Sequence, residues 1–416
     1  MPTRTAAAVV FCLPFLLHAQ DATQAPPKSW IDPDTGHRVV RLTDEPGSAS
    51  LYFNQNGYTA DLKKMVYTTP QGISELDLET HATKPVVAGR VRIIVAGRKS
   101  QNVYYIKDNT VCATDVDTGV TREIAKMPQR GTTASIATVN ADETLLAGTF
   151  AEASGVDYNP NRPPGPQQLD QPPNKGQMME QRLAAHYLMG LFTIDIKTGA
   201  LRVIHGSTDW LNHLEFSPTD PTLLMFCHEG PWHKVDRVWT IRTDGSHLTK
   251  IHTRSMTMEI FGHEFWSADG KTIWYDLQTP KGEVFWLAGY NVETGERTWY
   301  HLERNEWSIH FNVTRDGALF CGDGGDPGQV AHAPDGQWIY LFRPERFPNH
   351  DGIRLPGFVD AGVFHSERLV NMSKHNYRLE PNVSFTPDQK WVVFRSNMFG
   401  PTYVFAVEVA KATKAN

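Results

Sequence analysis

Two short stretches near the middle of the chain gather side chains that could do chemistry: "FCHEGPWHKVDRVW" (226–239) and "FGHEFW" (261–266). Each sets a His beside a Glu and aromatics, and Arg237 stands between the two histidines, His228 and His263. Neither reads H-E-x-x-H, the helical zinc-protease pattern. His213, His263 and His310 each stand three residues ahead of a similar phrase, "FSPTD", "WSADG" and "VTRDG". If that phrase marks one position of a repeating unit, equivalent geometry aims the three rings at one region. In "HNYRLEPNVSFTPD" (375–388) the same position holds Asn382, with Glu380 two residues before it. Alternation along a strand would point that pair to one face. Imidazole with carboxylate or amide oxygen suits a divalent cation such as Mn²⁺ or Ca²⁺ better than structural Zn²⁺. The plainer alternative is that such histidines only close hydrogen bonds between repeats. Recurrence at one position, followed by the Glu/Asn pair, favours a shared site. Arg237 is open to two readings, a member of that site or a strand arginine paired with Asp236 or another carboxylate.

The elements that must position these residues are short strands. An apolar residue, an Asp-bearing turn and an alternating strand recur as "VNADETLLAGTF", "FSPTDPTLLMFC", "WSADGKTIWYDL", "VTRDGALFCGDG", "HAPDGQWIYLFR" and "FTPDQKWVVFRS", with "YTADLKKMVYTT" a weaker copy. A second phrase follows, as in "DVDTGVTREI" and "NVETGERTWY": a strand, a tight Gly turn and a strand. From Asp220 to Asp269 to Asp316 the steps are 49 and 47 residues, the length of a four-stranded β-propeller blade. Spread over ~395 residues left after a leader, that step gives seven or eight blades. The expectation is an all-β, single-domain β-propeller of seven or eight blades, with a pair of β-sandwiches as the alternative. "IDPDTGHRVVRLT" (31–43) would help complete the ring. One segment breaks the pattern: 158–187 is Pro-rich, then briefly helix-compatible, and reads as a loop insertion able to cover a site.

Bulk properties set the class. The 416 residues carry 46 acidic and 40 basic side chains, net charge -6, which argues against a nucleic-acid-binding surface. Residues 1–20 hold an apolar run too short to span a membrane and read as a signal peptide, leaving 21–416 as the mature, exported chain, periplasmic or secreted. Only Cys112, Cys227 and Cys321 lie beyond that leader, too few and too scattered for a disulfide framework.

With these stretches the chain resembles the oligogalacturonate lyases, seven-bladed propellers that degrade pectin fragments. The likeness rests on "IDPDTGHRVVRLT", "FCHEGPWHKVDRVWTIRTDGS", "HEFWSADG", "SIHFNVTRDGALFCGDG" and "NVSFTPDQKWVVFRSN", and covers essentially the whole mature chain. It implies β-elimination on short oligogalacturonides with a histidine base, an arginine and a divalent metal, usually manganese, with calcium as the alternative. Carried onto this sequence, the base falls on His263, the arginine on Arg237 and one metal ligand on His310. The family's remaining ligands come from a Gln-x-x-His-x-His run; here those positions hold Tyr377, Glu380 and Asn382, with His375 a nearby imidazole. His228, His213 and Arg182, more loosely Lys374 and Arg378, are the candidates for further substrate contacts. A lyase for another uronate polysaccharide, or a non-catalytic TolB-like propeller, are the competing readings.

Overall fold

One hydrogen bond builds the repeat. The computed structural model describes residues 26–129, 133–152 and 174–412. In it an amide just past each inner strand donates to a carbonyl that opens the next strand. The pairs are Thr59 to Lys64, Gly97 to Asn102, Asn140 to Leu145, Ser217 to Leu223, Ser267 to Thr272, Thr314 to Leu319 and Thr386 to Trp391. The turn aspartates earn their place locally. Asp61, Asp220, Asp269, Asp316 and Asp388 each accept the amide two residues on at 2.9–3.1 Å, an Asx-turn that holds the chain in its reversal.

These turns open seven antiparallel blades. The inner strands of blades two to seven are Arg92–Ala96, Thr133–Val139, Trp210–Phe216, Ile260–Trp266, Phe311–Val313 and Ser384–Phe385. The first blade has three regular strands, Lys64–Thr69, Gly72–Asp77 and Thr83–Ala88; its inner edge is an irregular segment bridging at Ala49 to Thr68 and Tyr58 to Met65. The outer strands of blades five and six, Arg297–Leu302 and Val359–Asn371, pair in parallel, so the two share one eight-stranded sheet.

Each blade buries both faces against its neighbours, which is why its strands read as apolar runs with small breaks. The core is divided accordingly: seven hydrophobic clusters, one between each pair of adjacent blades, run round the ring. The ring closes as expected through the N-terminal segment. His37–Arg41 pairs with Tyr403–Lys411, Val39 opposite Val407 and Val40 opposite Ala406, so first and last strands lock one blade. Such closure removes the exposed edge an open sheet would leave.

Two details differ from the repeat read in sequence. "HAPDGQWIYLFR" does not open a blade; it leads into Trp338–Arg346, the third strand of blade six. The turn that opens blade two, at Gly97, lacks the aspartate and so hides in "VAGRKSQNVYY". The leader proposed for 1–20 lies outside the described residues, as does 158–173 of the insertion. Residues 175–185 form a helix with a capping box between Asn174 and Gln177. Among the described residues no helix is long and apolar enough to cross a membrane, and Cys112, Cys227 and Cys321 are free and buried.

The channel is crossed by one segment. Between Tyr52 and Asn56 the chain reaches inner strands of four other blades. Asn54 Nδ2 donates to the Glu264 carbonyl at 3.3 Å, Gln55 Nε2 to Ile94 at 3.1 Å and Asn56 Nδ2 to Ala96 at 2.9 Å. The Phe53 amide donates to Asn382 Oδ1 at 3.3 Å, and the Tyr52 hydroxyl lies 3.1 Å from His310 Nε2.

Candidate active site

The inner strands of blades four and five are interrupted at the same place. Asn212 pairs with Cys227 and Glu215 with Met225, so His213 and Leu214 together face one residue. Gly262 pairs with Asp276 and Phe265 with Trp274, which leaves His263 and Glu264 in the same situation. These are β-bulges, which bend a strand and re-aim a side chain. His213 and His263 both have φ 48°, and Asn382, at the equivalent place in blade seven, has φ 53°. Left-handed backbone costs a non-glycine residue energy, and its recurrence at one blade position marks positions chosen for the direction of their side chains.

The rings of His263 and His310 meet at 4.9 Å, edge to face. His263 is held by Asp276, Nδ1 to Oδ1 3.0 Å, on the neighbouring strand. Burial pushes the Asp276 carboxyl well above its ordinary range, so one proton is shared along Nδ1···Oδ1, and Nε2 is the ring nitrogen turned away from that contact. Burial, then the like charges of His310 and Arg237, drive the His263 imidazole well below its ordinary 6.5, so it stands neutral at neutral pH. His310 is fully buried; its Nδ1 bonds Asp323 Oδ2 at 2.7 Å, and Asp323 also accepts the His310 amide at 2.9 Å.

Arg237 lies just before strand Val238–Arg242 and is 1% exposed. Its Nη1 donates to Glu229 Oε1 at 2.7 Å, Nη2 stands 3.7 Å from Glu264 Oε2, and the Trp232 ring covers its face at 4.5 Å. Among the described residues its Nε has no partner. Gly262 makes room: a Cβ there would stand 3.1 Å from Arg237 Nε and 3.2 Å from Trp232. Glu229 also receives His213 Nε2 at 3.1 Å and Trp232 Nε1 at 3.2 Å. Burial alone would raise the Glu229 carboxyl; Arg237 and His213 outweigh it and hold it far below the ordinary range. Arg237 therefore belongs with the site and not with Asp236, whose partners are Lys250 and Arg254.

The other sequence candidates divide. Glu380 approaches the cluster, its Oε2 3.9 Å from His310 Nε2. Asn382 is buried beside it, but Oδ1 accepts the Phe53 amide and Nδ2 donates to the Glu380 carbonyl. His375 is not brought in: Nδ1 is bound to Ser396 Oγ at 2.9 Å and Nε2 to the Leu379 carbonyl at 2.7 Å, so neither nitrogen is left for a metal. Tyr377 donates to the Asp323 carbonyl at 3.2 Å. His213 joins through Glu229. His228 does not, because it alternates with Glu229 along Leu223–Glu229; it bonds Asp209 at 2.8 Å and stacks on Trp239. Arg182 lies on the insertion helix, its guanidinium 3.9 Å over the Trp210 ring, while Glu180 pairs with Lys234 at 2.8 Å. The helix Lys175–Ala185 thus sits at the mouth where strand Trp210–Phe216 begins. Lys374 and Arg378 are exposed.

Sequence reading missed Glu229, Glu264, Asp276, Asp323, Tyr52 and Trp232 as site residues. Glu229 and Glu264 stood in view, next to the histidines of "CHEGP" and "HEFW". Trp232 stood in the same stretch, while Asp276, Asp323 and Tyr52 come from second strands or their ends and from the channel-crossing segment, which no spacing announces. Among the described residues no group of three or more His, Cys, Asp or Glu could hold a metal ion.

The propeller thus brings a depressed histidine, a buried guanidinium and an imidazole–carboxylate pair to one mouth. Comparison with known proteins gives the family. The oligogalacturonate lyase family model matches residues 26–413. An oligogalacturonide lyase of Pectobacterium atrosepticum is 25% identical over 400 residues, 91% of this chain and 95% of that protein. An oligogalacturonate lyase of Dickeya dadantii is 24% identical over the same coverage. Among solved structures, an oligogalacturonate lyase in complex with manganese aligns at TM-score 0.72 and 23% identity, covering 92% of this chain and 96% of that one. The Vibrio parahaemolyticus oligogalacturonate lyase aligns at 0.71 and 24%, with the same coverage. The chain belongs to the oligogalacturonate lyase family and is a polysaccharide or oligosaccharide lyase.

Proposed function

We propose that this protein cleaves short oligogalacturonides by β-elimination, with manganese as cofactor, and releases 4,5-unsaturated uronides. The names of the relatives support the substrate. The observation that carries the mechanism is His263, an imidazole still 11% exposed, held at Nδ1 by Asp276 and depressed below its ordinary range beside two cationic or metal-ligating groups. His263 Nε2 takes the proton from C5 of the uronate. The C5–H electron pair becomes the C4=C5 double bond as C4–O4 breaks, and O4 departs with its electrons and takes a proton from water. Arg237 supplies positive charge for the carboxylate attached to C5, through the Nε–H edge that has no partner. Because Arg237 is 1% exposed, Trp232 must turn aside for that contact.

The residues present fit a divalent cation with few protein ligands. His310 Nε2 and Glu380 Oε2, 3.9 Å apart, would hold it once the Tyr52 hydroxyl, 3.1 Å from that nitrogen, moves aside, and Asp323 fixes the imidazole from behind. Ions of the manganese type accept one or two such ligands and complete their shell with water and substrate oxygen. Bound there, the ion would withdraw charge from the substrate carboxylate and acidify C5–H. Tyr52, which burial keeps protonated, lies at the same imidazole nitrogen. A lyase for another uronate polysaccharide is the second reading, favoured by Tyr377, Glu380 and Asn382 in place of the amide and imidazoles that the resemblance implies.

The test is incubation of the purified protein and Mn²⁺ with di- and trigalacturonate. Growth of the ultraviolet absorbance of an unsaturated uronide is expected, and its loss on exhaustive chelation with recovery on added Mn²⁺. No absorbance with these, but product from another uronate oligomer, would move the protein to the second reading; turnover surviving chelation would remove the metal.

A further inference from the structure

We propose that the opposite mouth of the channel is a second binding site, for a small oxyanion such as a uronate carboxylate, built on Arg98 and Arg315. The two arginines occupy one repeat position. Each directly follows the residue whose amide closes the blade-opening turn, Gly97 in blade two and Thr314 in blade six. In blades one, three, four, five and seven that position holds Ala60, Ala141, Pro218, Ala268 and Pro387. Small or ring-closed residues are what a turn at the end of an inner strand asks for; two blades on well-separated parts of the ring depart from this, both with a guanidinium.

Both side chains are exposed and both line a single cavity. Among the described residues neither has a hydrogen-bond or ion-pair partner. Desolvation by the channel wall and the like charge of Arg315 lower Arg98, against the opposing pull of Glu215. Two unpaired cations that sense each other in a chain of net charge -6 make a local positive field where the whole molecule is negative. The cavity wall carries a second signal. Glu215 Oε2, Gln389 Oε1 and Ser50 Oγ belong to residues that line it, and each is a buried polar atom without a partner among the described residues. Burial, despite Arg98, pushes the Glu215 carboxyl well up, toward the protonated form that donates a hydrogen bond to an incoming oxygen. Guanidiniums for charge, with acid, amide and hydroxyl groups for neighbouring oxygens, match a carboxylate on a sugar; the same donors would take phosphate.

The site is distinct from the catalytic mouth because the segment around Tyr52, Phe53 and Asn54 lies between them and lines this cavity from the other side. It stands whether or not the reading of the near mouth is right. Its test is calorimetric titration of the full chain with galacturonate and, separately, with inorganic phosphate. The arms are wild type, the double variant Arg98→Ala/Arg315→Ala and the charge-keeping Arg98→Lys/Arg315→Lys. Expected is a binding component weakened about tenfold or more in the alanine pair and partly retained in the lysine pair, with oligogalacturonide turnover at saturating substrate unchanged. An arginine-dependent component for galacturonate assigns the uronate; one for phosphate alone keeps the site and names inorganic phosphate as its ligand. Isotherms for both anions that the alanine pair leaves unchanged would overturn the proposal.

Discussion

Blades two and three and blades four and five use the same inner-strand position in opposite ways. In the first pair it holds Ile93 and Ile136, and both stay in the ladder, opposite Tyr105 and Gly148. In the second pair it holds His213 and His263, and both leave the ladder in a bulge. Blades two and three have an irregularity too, but one residue later, at Ile94 and Ala137. A displacement of one residue therefore decides whether this position packs between blades or faces the channel, since side chains alternate with a period of two. In blades four and five the bulge turns the polar residue inward and a carboxylate receives it: Glu229 for His213 and Asp276 for His263.

The largest effect expected from this comparison is on turnover. His263→Ala should lower kcat/KM by about a thousandfold, the usual share of a general base, with little change in thermal midpoint. Retained turnover would take the base away from His263. Glu229→Ala should come next, now in stability. It leaves Arg237 in the interior with only Glu264, at 3.7 Å, and should cost about 3–5 kcal/mol in denaturant unfolding. A loss near zero would mean that the guanidinium finds water once Glu229 is gone. Ile136→Ala is the mirror experiment in the bare half. It removes a side chain with 0% exposure and should cost about 2–5 kcal/mol while turnover at 25 °C is kept. If it abolished turnover in folded protein, the division of the ring into a chemical and a structural part would fail.

How much of this could be read from the chain follows the same line. The blades were legible because Asp-bearing turns repeat, and the turn of blade two escaped because Lys99 stands where the other turns carry their aspartate. The convergence of His213, His263, His310 and Asn382 followed from counting back from those turns. The direction of each side chain did not, because a bulge leaves no mark in composition: alternation would have set Glu264 opposite His263, yet both belong to the site. His228 shows the converse. It shares a phrase with Arg237, and strand alternation sends it to the face that carries Asp209 and Trp239. His375 looked like a spare ligand in sequence and is spent on a backbone carbonyl and Ser396.

The smallest effect is the most diagnostic of the near mouth, because it separates a channel histidine from an ordinary one. The folded His263 imidazole is depressed below 6.5 by burial and by neighbouring positive charge. A depressed imidazole must lose its proton to act as base and does so at lower pH, so the acid limb of kcat/KM should fall below 6.5. The same shift is a stability statement: below 6.5 the unfolded chain binds a proton that the folded site resists, so stability declines as pH falls from there, and no penalty from this group remains above it. His263→Gln removes the group from both balances. Its unfolding free energy should lose part of that acid-side slope, measured by denaturant titration at several pH values between about 5 and 7. An acid limb at or above 6.5, or a slope that His263→Gln leaves unchanged, would mean that the ring is solvated or paired as a cation, and then blade five would differ from blade three in side-chain type but not in electrostatic character.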